Sequence, residues 1–260
     1  MQHAHVRWSF SQEQGDREEQ EDAIRIASIP EKPEWGILSI LSDGMGGMDN
    51  GHMFSMIATQ GMASCFEKYK FSAELSMTQI LYQCYCAAQD IALKSQPASE
   101  KEEGGATVTA VYIRKNRCAF LSVGDSRIYL LRGGALIQLN REQKLGVRLD
   151  ERAALGFISW KQAKNNTERS AIMANLGRRS PIPPDICDRD FPLVPGDRLI
   201  QVSDGVCGTL SDRELESCIA GEWEGAAQRV MKSVLQHQKR HQDNASIVVL
   251  EIEPRHAALS

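Results

Sequence analysis

Residues 35–51 read WGILSILSDGMGGMDNG, an apolar run that ends in an aspartate and a glycine-rich loop. The run from Trp35 to Leu41 has the length and composition of a buried β-strand. Glycine lets the backbone approach a neighbour or a ligand closely. The stretch therefore predicts a strand whose end presents Asp43 beside an open loop.

Short apolar or alternating runs of the same kind recur along the chain, several of them rich in Val and Ile. They lie at about 22–28, 35–42, 106–113, 117–123, 127–132, 135–139, 197–203 and 245–252. The pair Gly133-Gly134 between two of them predicts a β-hairpin. We therefore expect antiparallel sheets.

Helical spacing of apolar residues marks three further segments, at 52–69, 77–92 and 227–235. A capping-box pattern, Ser211 to Glu214, predicts the start of another short helix. Two of the helices follow one another between strands, which favours helices packed on antiparallel sheet, an α+β fold, over alternating β-α-β units.

The composition is that of a folded protein, with 260 residues of which 42% are hydrophobic. The formal charge of -4 and the lack of a basic run argue against nucleic-acid binding, and no stretch has the length of a membrane span. A polar loop at 95–105 and a proline-rich stretch at 177–196 do not force a boundary. We expect one domain over 1–260, with a tail at 254–260.

The seven cysteines are odd in number and scattered, which favours reduced thiols over a disulfide framework. Cys84 and Cys86 lack a second pair that would complete a zinc site. The amino terminus lacks the apolar core of a signal peptide. We expect a cytoplasmic protein without membrane attachment.

Acidic residues stand at the ends of five predicted strands. Asp43, Asp125 and Asp204 follow strands, whereas Asp243 and the pair Glu21-Asp22 precede them. One Asp-Gly at a strand end is usually a turn. Carboxylates clustered from five such sites would repel one another unless a cation neutralises them, and Mg²⁺ and Mn²⁺ prefer such oxygen ligands. An ordinary glycine-rich turn with a helix cap remains the alternative for residues 43–51.

Two divalent cations close together can lower the pKa of a shared water and clamp a phosphoryl oxygen. A forked guanidinium suits the remaining phosphate oxygens, and Arg17, four residues before Glu21, is the candidate. The alternative interpretation of Arg17 is a solvated arginine in a charge-rich stretch, without a role in binding phosphate.

Several short motifs in order resemble the metal-dependent serine/threonine phosphatases of the PPM, or protein phosphatase 2C, type, especially the bacterial single-domain members. The motifs are REEQED (17–22), DGMGG (43–47), GGATVTAVYI (104–113), GDSR (124–127), NLG (175–177), SDGV (203–206) and DNAS (243–246). Each is weak alone, but their common order is specific.

The resemblance implies a four-layer α-β-β-α sandwich with two central antiparallel sheets and a dinuclear Mg²⁺ or Mn²⁺ centre at one end. It implies that Asp43 bridges both cations and that Gly44 offers its carbonyl. Asp204 and Asp243 would hold one cation, and Asp22 with Glu21 the other. Asp125 would bind a weaker third cation together with Asp204. Arg17 would bind the substrate phosphate, and water activated by the metals would attack phosphoserine or phosphothreonine directly.

Some positions depart from that pattern. Met45 stands where many eukaryotic members carry a histidine proposed as general acid, and Gln20, Met48 and His52 also differ from common residues. The sequence NREQ at 140–143 replaces a usual Thr-Asp-His, and residues 140–176 correspond to the variable flap.

The predicted partner is a phosphorylated protein, with a Ser/Thr kinase opposing the enzyme, and we expect a monomer. A narrower possibility is a phosphatase for a regulator of a sigma factor or a secretion system. A catalytically silent, phosphoprotein-binding regulatory module of the same fold is the alternative from another class. A calcium-binding structural protein is disfavoured, because the chain lacks an EF-hand loop.

Overall fold

The computed structural model describes residues 5–46, 50–68, 74–96 and 104–253. Gly47 and Met48, residues 97–103 of the polar loop and the tail 254–260 lie outside the described residues.

Twelve strands lie in the described part of the chain. They are β1 (Val6–Glu13), β2 (Asp22–Ser28), β3 (Ile37–Met45), β4 (Gly105–Ala106), β5 (Val108–Arg114), β6 (Arg117–Val123), β7 (Arg127–Arg132), β8 (Ala135–Gln138), β9 (Asp185–Ile186), β10 (Phe191–Pro192), β11 (Arg198–Val202) and β12 (Ala245–Ile252).

The helices are α1 (Asn50–Lys68), α2 (Met77–Ser95), α3 (Leu145–Ala154), α4 (Trp160–Lys164), α5 (Asp204–Cys207), α6 (Asp212–Ile219) and α7 (Ala226–Gln236), with a 3₁₀ turn at Pro33–Trp35. No helix among the described residues is both long enough and apolar enough to span a bilayer.

The strands form two antiparallel sheets. One has the order β1-β12-β11-β7-β8, and the other the order β10-β6-β5-β3-β2, with β4 beside β3 and β9 beside β6. Helices α1 and α2 pack on the second sheet, and α6 and α7 pack on the first. The expected α+β sandwich with two central antiparallel sheets is confirmed.

Three apolar clusters hold the layers together. One joins α1 and α2 to the larger sheet and includes Phe66, whose ring meets Tyr112 edge-on. A second lies between α5–α7 and the smaller sheet. The third lies between the two sheets, where Leu41 of β3 and Leu250 of β12 are both fully buried. The site described below lies at one end of this third layer.

A buried glutamine also links the two sheets. Gln201 of β11 donates from Nε2 to the backbone oxygen of Thr109 in β5 (2.8 Å) and to Thr109 Oγ1 (3.1 Å). Ser39 of β3 donates its hydroxyl to Gln201 Oε1. Because buried polar groups are costly when unpaired, these bonds favour one alignment of the sheets.

The predicted strands and helices are confirmed with small shifts at their ends. The Gly133-Gly134 pair closes the hairpin between β7 and β8. The capping box at the start of α6 is formed, since the backbone N–H of Ser211 donates to Glu214 Oε2 (2.8 Å) and that of Glu214 to Ser211 Oγ (3.4 Å).

Several parts of the structure were not predicted, among them the short helix α5. Strand β1 pairs along its whole length with β12. The flap segment 140–176 contains helices α3 and α4, and the stretch 177–196 contributes the short strands β9 and β10.

Candidate metal and phosphate site

Asp22 and Asp43 face each other across two neighbouring strands. They are partners in the register of β2 and β3, at the end of the sheet where the glycine-rich loop begins. Asp22 is 4% exposed, and its Oδ2 accepts a hydrogen bond from Ser203 Oγ (2.8 Å). Its Oδ1 is buried and has no hydrogen-bond partner among the described residues. This oxygen is available for a cation.

Ser203 brings the other sheet to the same place. It lies between the end of β11 and Asp204, and its Oγ accepts from the backbone N–H of Ser246 in β12 (2.9 Å). Asp204 opens α5, and Asp243 lies just before β12. The ends of both sheets therefore converge, as expected for strand-end carboxylates in a sandwich.

The pKa values record the crowding of negative charge. Burial, followed by the charges of Asp22 and Asp204, raises the pKa of Asp43 well above its usual range. Burial likewise raises the pKa of Asp22 to about 7 and that of Asp204 to about 6. Neighbouring carboxylates, Asp125 and Asp243 among them, add to the shift at Asp204. Uncompensated carboxylates of this kind attract a cation.

Arg17 lies at the rim of this cluster. Its Nη2 is 2.7 Å from Asp243 Oδ2, and its side chain is 55% exposed. The structure therefore pairs the predicted phosphate-binding residue with one of the predicted metal ligands. An exposed guanidinium can leave a carboxylate for a phosphate at little cost, because surface ion pairs are weak.

Glu21 is fixed by its backbone. Its N–H donates to Asn244 Oδ1 (2.8 Å), and its carbonyl oxygen accepts from the N–H of Gly44 (3.2 Å). The carboxylate reaches α1, where a Cβ at Gly51 would lie 2.2 Å from Glu21 Oε1. A Cβ at Gly44 would lie 2.1 Å from the Gly51 carbonyl oxygen. The two glycines allow the end of β3 and the start of α1 to lie close to each other and to Glu21.

Thr107 supports Asp43 from behind. Its Oγ1 accepts from the backbone N–H of Asp43 (3.0 Å) and shares a hydrogen bond with Ser126 Oγ (2.8 Å). Its own N–H donates to the Asp43 carbonyl oxygen (2.8 Å). Both the N–H and the carbonyl oxygen of Asp43 are therefore hydrogen-bonded to Thr107.

Asp125 has a different neighbour from the other acids. Its Oδ2 is 2.9 Å from Lys144 Nζ, while its Oδ1 is buried without a partner among the described residues. Burial alone would lower the pKa of Lys144, but the charge and hydrogen bond of Asp125 outweigh it and the pKa is raised. Lys144 therefore stays protonated beside this carboxylate.

The cluster is not a closed coordination shell. Among the residues described, no group of three or more His, Cys, Asp or Glu side chains is arranged so that it could hold a metal ion as it stands. The structure brings Asp22, Asp43 and Asp204 into mutual electrostatic contact and joins Asp243 to Arg17. Gly47 of the predicted loop lies outside the described residues.

Sequence reasoning missed the groups that position these acids. Ser203, Asn244 and Thr107 lie inside the motifs that carry or adjoin the predicted ligands. Their hydroxyl or amide side chains next to acidic residues could have indicated hydrogen bonds that position those acids. No local sequence pattern indicated Lys144, because the hairpin of β7 and β8 separates it from Asp125 along the chain.

The model of the protein phosphatase 2C family matches residues 14–241, which include Asp22, Asp43, Asp125 and Asp204 but end before Asp243. The chain belongs to the protein phosphatase 2C family.

Among curated proteins of this family, the serine/threonine protein phosphatase PstP of Mycobacterium tuberculosis is 28% identical over 216 residues. That alignment covers 83% of this chain and 40% of PstP, so the chain spans well under half the length of this relative.

Solved structures agree in fold. A crystal structure of the M. tuberculosis phosphatase PstP superimposes with a TM-score of 0.77 at 25% identity, covering 96% of this chain and 99% of that one. Another, of the catalytic domain of PstP in complex with two manganese ions, gives a TM-score of 0.76 at 22% identity, covering 96% and 99%.

The departures from the usual phosphatase 2C pattern have local roles. Gln20 accepts from the backbone N–H of Asp22 through Oε1 (2.9 Å). Met45 Sδ lies 3.9 Å from Asn175 Nδ2. Asn140 donates to Ser122 Oγ (3.0 Å) and to the Ser126 carbonyl oxygen (3.0 Å). Residues 140–143 thus brace the loop around Asp125 by contacts of their own.

Proposed function

We propose that the protein is a divalent-metal-dependent phosphatase that hydrolyses phosphoserine and phosphothreonine in proteins. The observation that carries the proposal is the group of buried and half-buried carboxylates that both sheets contribute at one end of the sandwich. Family membership supports the reaction class, and the PstP domain with two manganese ions supports the type of cation.

The donor set fits Mg²⁺ or Mn²⁺ in its chemistry, since both prefer carboxylate and carbonyl oxygens. Asp43 and the Gly44 carbonyl would hold cations between the sheets, with Asp204 and Asp243 on one side and Asp22 with Glu21 on the other. The unpartnered Asp22 Oδ1 supports this assignment. Because no closed shell is present among the described side chains, cation binding would include side-chain rotation.

A pair of bound divalent cations would supply an activated water and withdraw charge from the phosphoryl group. The protein's own residues would do the positioning. Thr107 fixes the backbone of Asp43, and Ser203 fixes the carboxylate of Asp22. Arg17 would leave Asp243 and bind the phosphate oxygens of the substrate with its planar fork of N–H donors.

Other features of the function remain predictions from the sequence. They are one domain over 1–260, a monomeric state, a cytoplasmic location and a Ser/Thr kinase that opposes the enzyme. The flap with α3 and α4 lies beside Asp125 and is the part expected to contact the protein substrate.

A catalytically silent, phosphoprotein-binding module is the second candidate. The Arg17–Asp243 pair is the observation that favours it, because Asp243 would then pair with Arg17 instead of a cation. In that case Arg17 would bind phosphate without turnover.

A metal series separates the two. Purified, chelator-treated protein is assayed for phosphate release from a phosphoserine peptide with Mn²⁺, Mg²⁺, Ca²⁺ or no cation. Activity that appears with Mn²⁺ or Mg²⁺ and vanishes with chelator supports the phosphatase. Binding of the phosphopeptide without release of phosphate under every condition would favour the silent module.

A further inference from the structure

The contact between Lys144 and Asp125 is the feature of the site that the proposed function does not use. Lys144 Nζ lies 2.9 Å from Asp125 Oδ2 and 3.5 Å from Glu142 Oε1. The Asp125 side chain is 2% exposed and the Lys144 side chain 24%. Lys144 neutralises the buried charge of Asp125, and its removal would leave that carboxylate buried without a counter-charge.

The ammonium is held in place by the backbone around it. The N–H of Gln143 donates to the Gly124 carbonyl oxygen (2.7 Å), and the N–H of Gly124 donates to Gln143 Oε1 (3.0 Å). Lys144 itself forms an isolated β-bridge with Ile172. The residues before Asp125 and before Lys144 are therefore clamped together, which fixes where the lysine side chain starts.

Lys144 also acts on the rest of the acidic cluster. Burial raises the pKa of Asp204, the charge of Asp125 adds to that increase, and the charge of Lys144 opposes it. Asp204 is the residue that the sequence resemblance paired with Asp125 around a third cation. A positive charge already occupies the space beside the carboxylate that this third cation would need. Asp125 Oδ2 is therefore already neutralised by the ammonium, and only Oδ1 of this carboxylate is left without a partner among the described residues.

We infer that the ammonium group of Lys144 takes the place of the third divalent cation. The inference rests on the proposed function, since it concerns how many cations the same site holds. Two divalent cations would bind at Asp22, Asp43, Asp204 and Asp243, while Lys144 neutralises Asp125. A divalent ion at Asp125 would have to displace a cation that makes a charge-assisted hydrogen bond.

Removing the ammonium should open the third position. In Lys144→Met the apolar chain length is kept and Asp125 Oδ2 loses its partner. Both oxygens of Asp125 are then without a partner among the described residues, which is the condition under which a carboxylate recruits a cation. Lys164→Met is the matched control, because Lys164 is an exposed flap lysine paired with Asp150. The double variant Lys144→Met with Asp125→Asn removes both the ammonium and the carboxylate.

The test counts Mn²⁺ bound per chain by equilibrium dialysis and elemental analysis across a concentration series. We expect two ions in the wild type and in Lys164→Met, three in Lys144→Met, and two in the double variant. Thermal melting checks that each variant is folded, and Lys144→Gln replaces the Met variant if that one is not. The wild-type count needs no variant.

The outcomes are distinguishable. Three ions in the wild type, or two in folded Lys144→Met, would overturn the inference while leaving the metal-dependent phosphatase intact. No bound Mn²⁺ in the wild type would overturn the proposed function and this inference together.

Discussion

Replacing Asp22 by asparagine should stabilise the metal-free protein. Asp22 is 4% exposed, one of its oxygens lacks a partner among the described residues, and burial raises its pKa to about 7. At about pH 8 the folded protein must therefore carry a buried negative charge. Asparagine has nearly the same shape, is neutral, and can still accept the Ser203 hydrogen bond.

The size of the effect follows from the two pKa values of Asp22. The difference between its ordinary 3.8 and about 7 in the fold corresponds to roughly 4 kcal/mol of unfolding free energy when the group is fully ionised. Asparagine brings a burial cost of its own, so we expect a net gain of about 2 kcal/mol. For a chain of this size that is roughly 4–8 °C in melting temperature.

The pH dependence has a definite sign. Between about pH 4 and pH 7 the folded state keeps a proton on Asp22 that the unfolded state has released, so wild-type stability falls as pH rises. The advantage of Asp22→Asn should thus be absent below about pH 4, grow up to about pH 7 and then stay constant. With divalent cations bound, the wild type should be more stable than Asp22→Asn, because the variant lacks one metal ligand.

The assay is thermal unfolding from about pH 4 to pH 8 in chelator, repeated with excess Mn²⁺. Asp150→Asn is the control, because hydrogen bonds from Arg169 and Lys164 lower the pKa of Asp150 to about 2. That variant should be no more stable than the wild type at about pH 8. An Asp22→Asn protein that is less stable than the wild type in chelator at about pH 8, or equally responsive to Mn²⁺, would refute the reasoning.

Three more substitutions test other parts of the account. Arg17→Ala should raise KM for a phosphopeptide roughly 10-fold or more and leave the Mn²⁺-induced thermal shift unchanged; loss of that shift would mean that Arg17 serves the metals instead. Thr107→Val should lower the free energy of unfolding in urea by about 1–3 kcal/mol, since the Asp43 N–H loses its acceptor. Gln201→Leu should lower it by a similar amount, because Thr109 loses its cross-sheet donor, with kcat preserved. Unchanged urea midpoints in either variant would contradict the roles given to these hydrogen bonds.

Sequence patterns predicted the elements whose signals are local. The capping box at Ser211 and the glycine pair at Gly133 act over a few residues, and both appear in the structure as expected. Buried strands such as β3 and β12 are nearly continuous apolar runs, so their composition alone marks them.

Strand β1 was missed because five of the eight residues in its sequence, VRWSFSQE, are polar, although Val6, Trp8 and Phe10 alternate with polar residues as in a strand. Trp8 is 48% exposed and Phe10 is 52% exposed, so the usual link between apolar residues and a buried face does not hold. The strand depends on its hydrogen bonds to β12, a contact between opposite ends of the chain.

The acids of the site could be predicted because each stands at the end of a recognisable strand. Their partners could not, because Arg17 with Asp243 and Lys144 with Asp125 are contacts of tertiary structure. The flap helix α3 was missed because it is rich in charged residues and buries only Gly146 and Ala153, so that it has few buried apolar residues to mark it.

The central claim is that the carboxylates at this end of the sandwich hold the cations that drive hydrolysis. It is tested most directly by Mn²⁺-dependent phosphate release from a phosphoserine peptide, measured for the wild type, Asp43→Asn and Asp150→Asn. The wild type and Asp150→Asn should rise from background to saturation with added Mn²⁺. Asp43→Asn should fall at least roughly 100-fold, because loss of even an outer contact to a metal ligand costs 10–100-fold. Equal turnover in Asp43→Asn, or wild-type turnover that persists in chelator, would contradict the account.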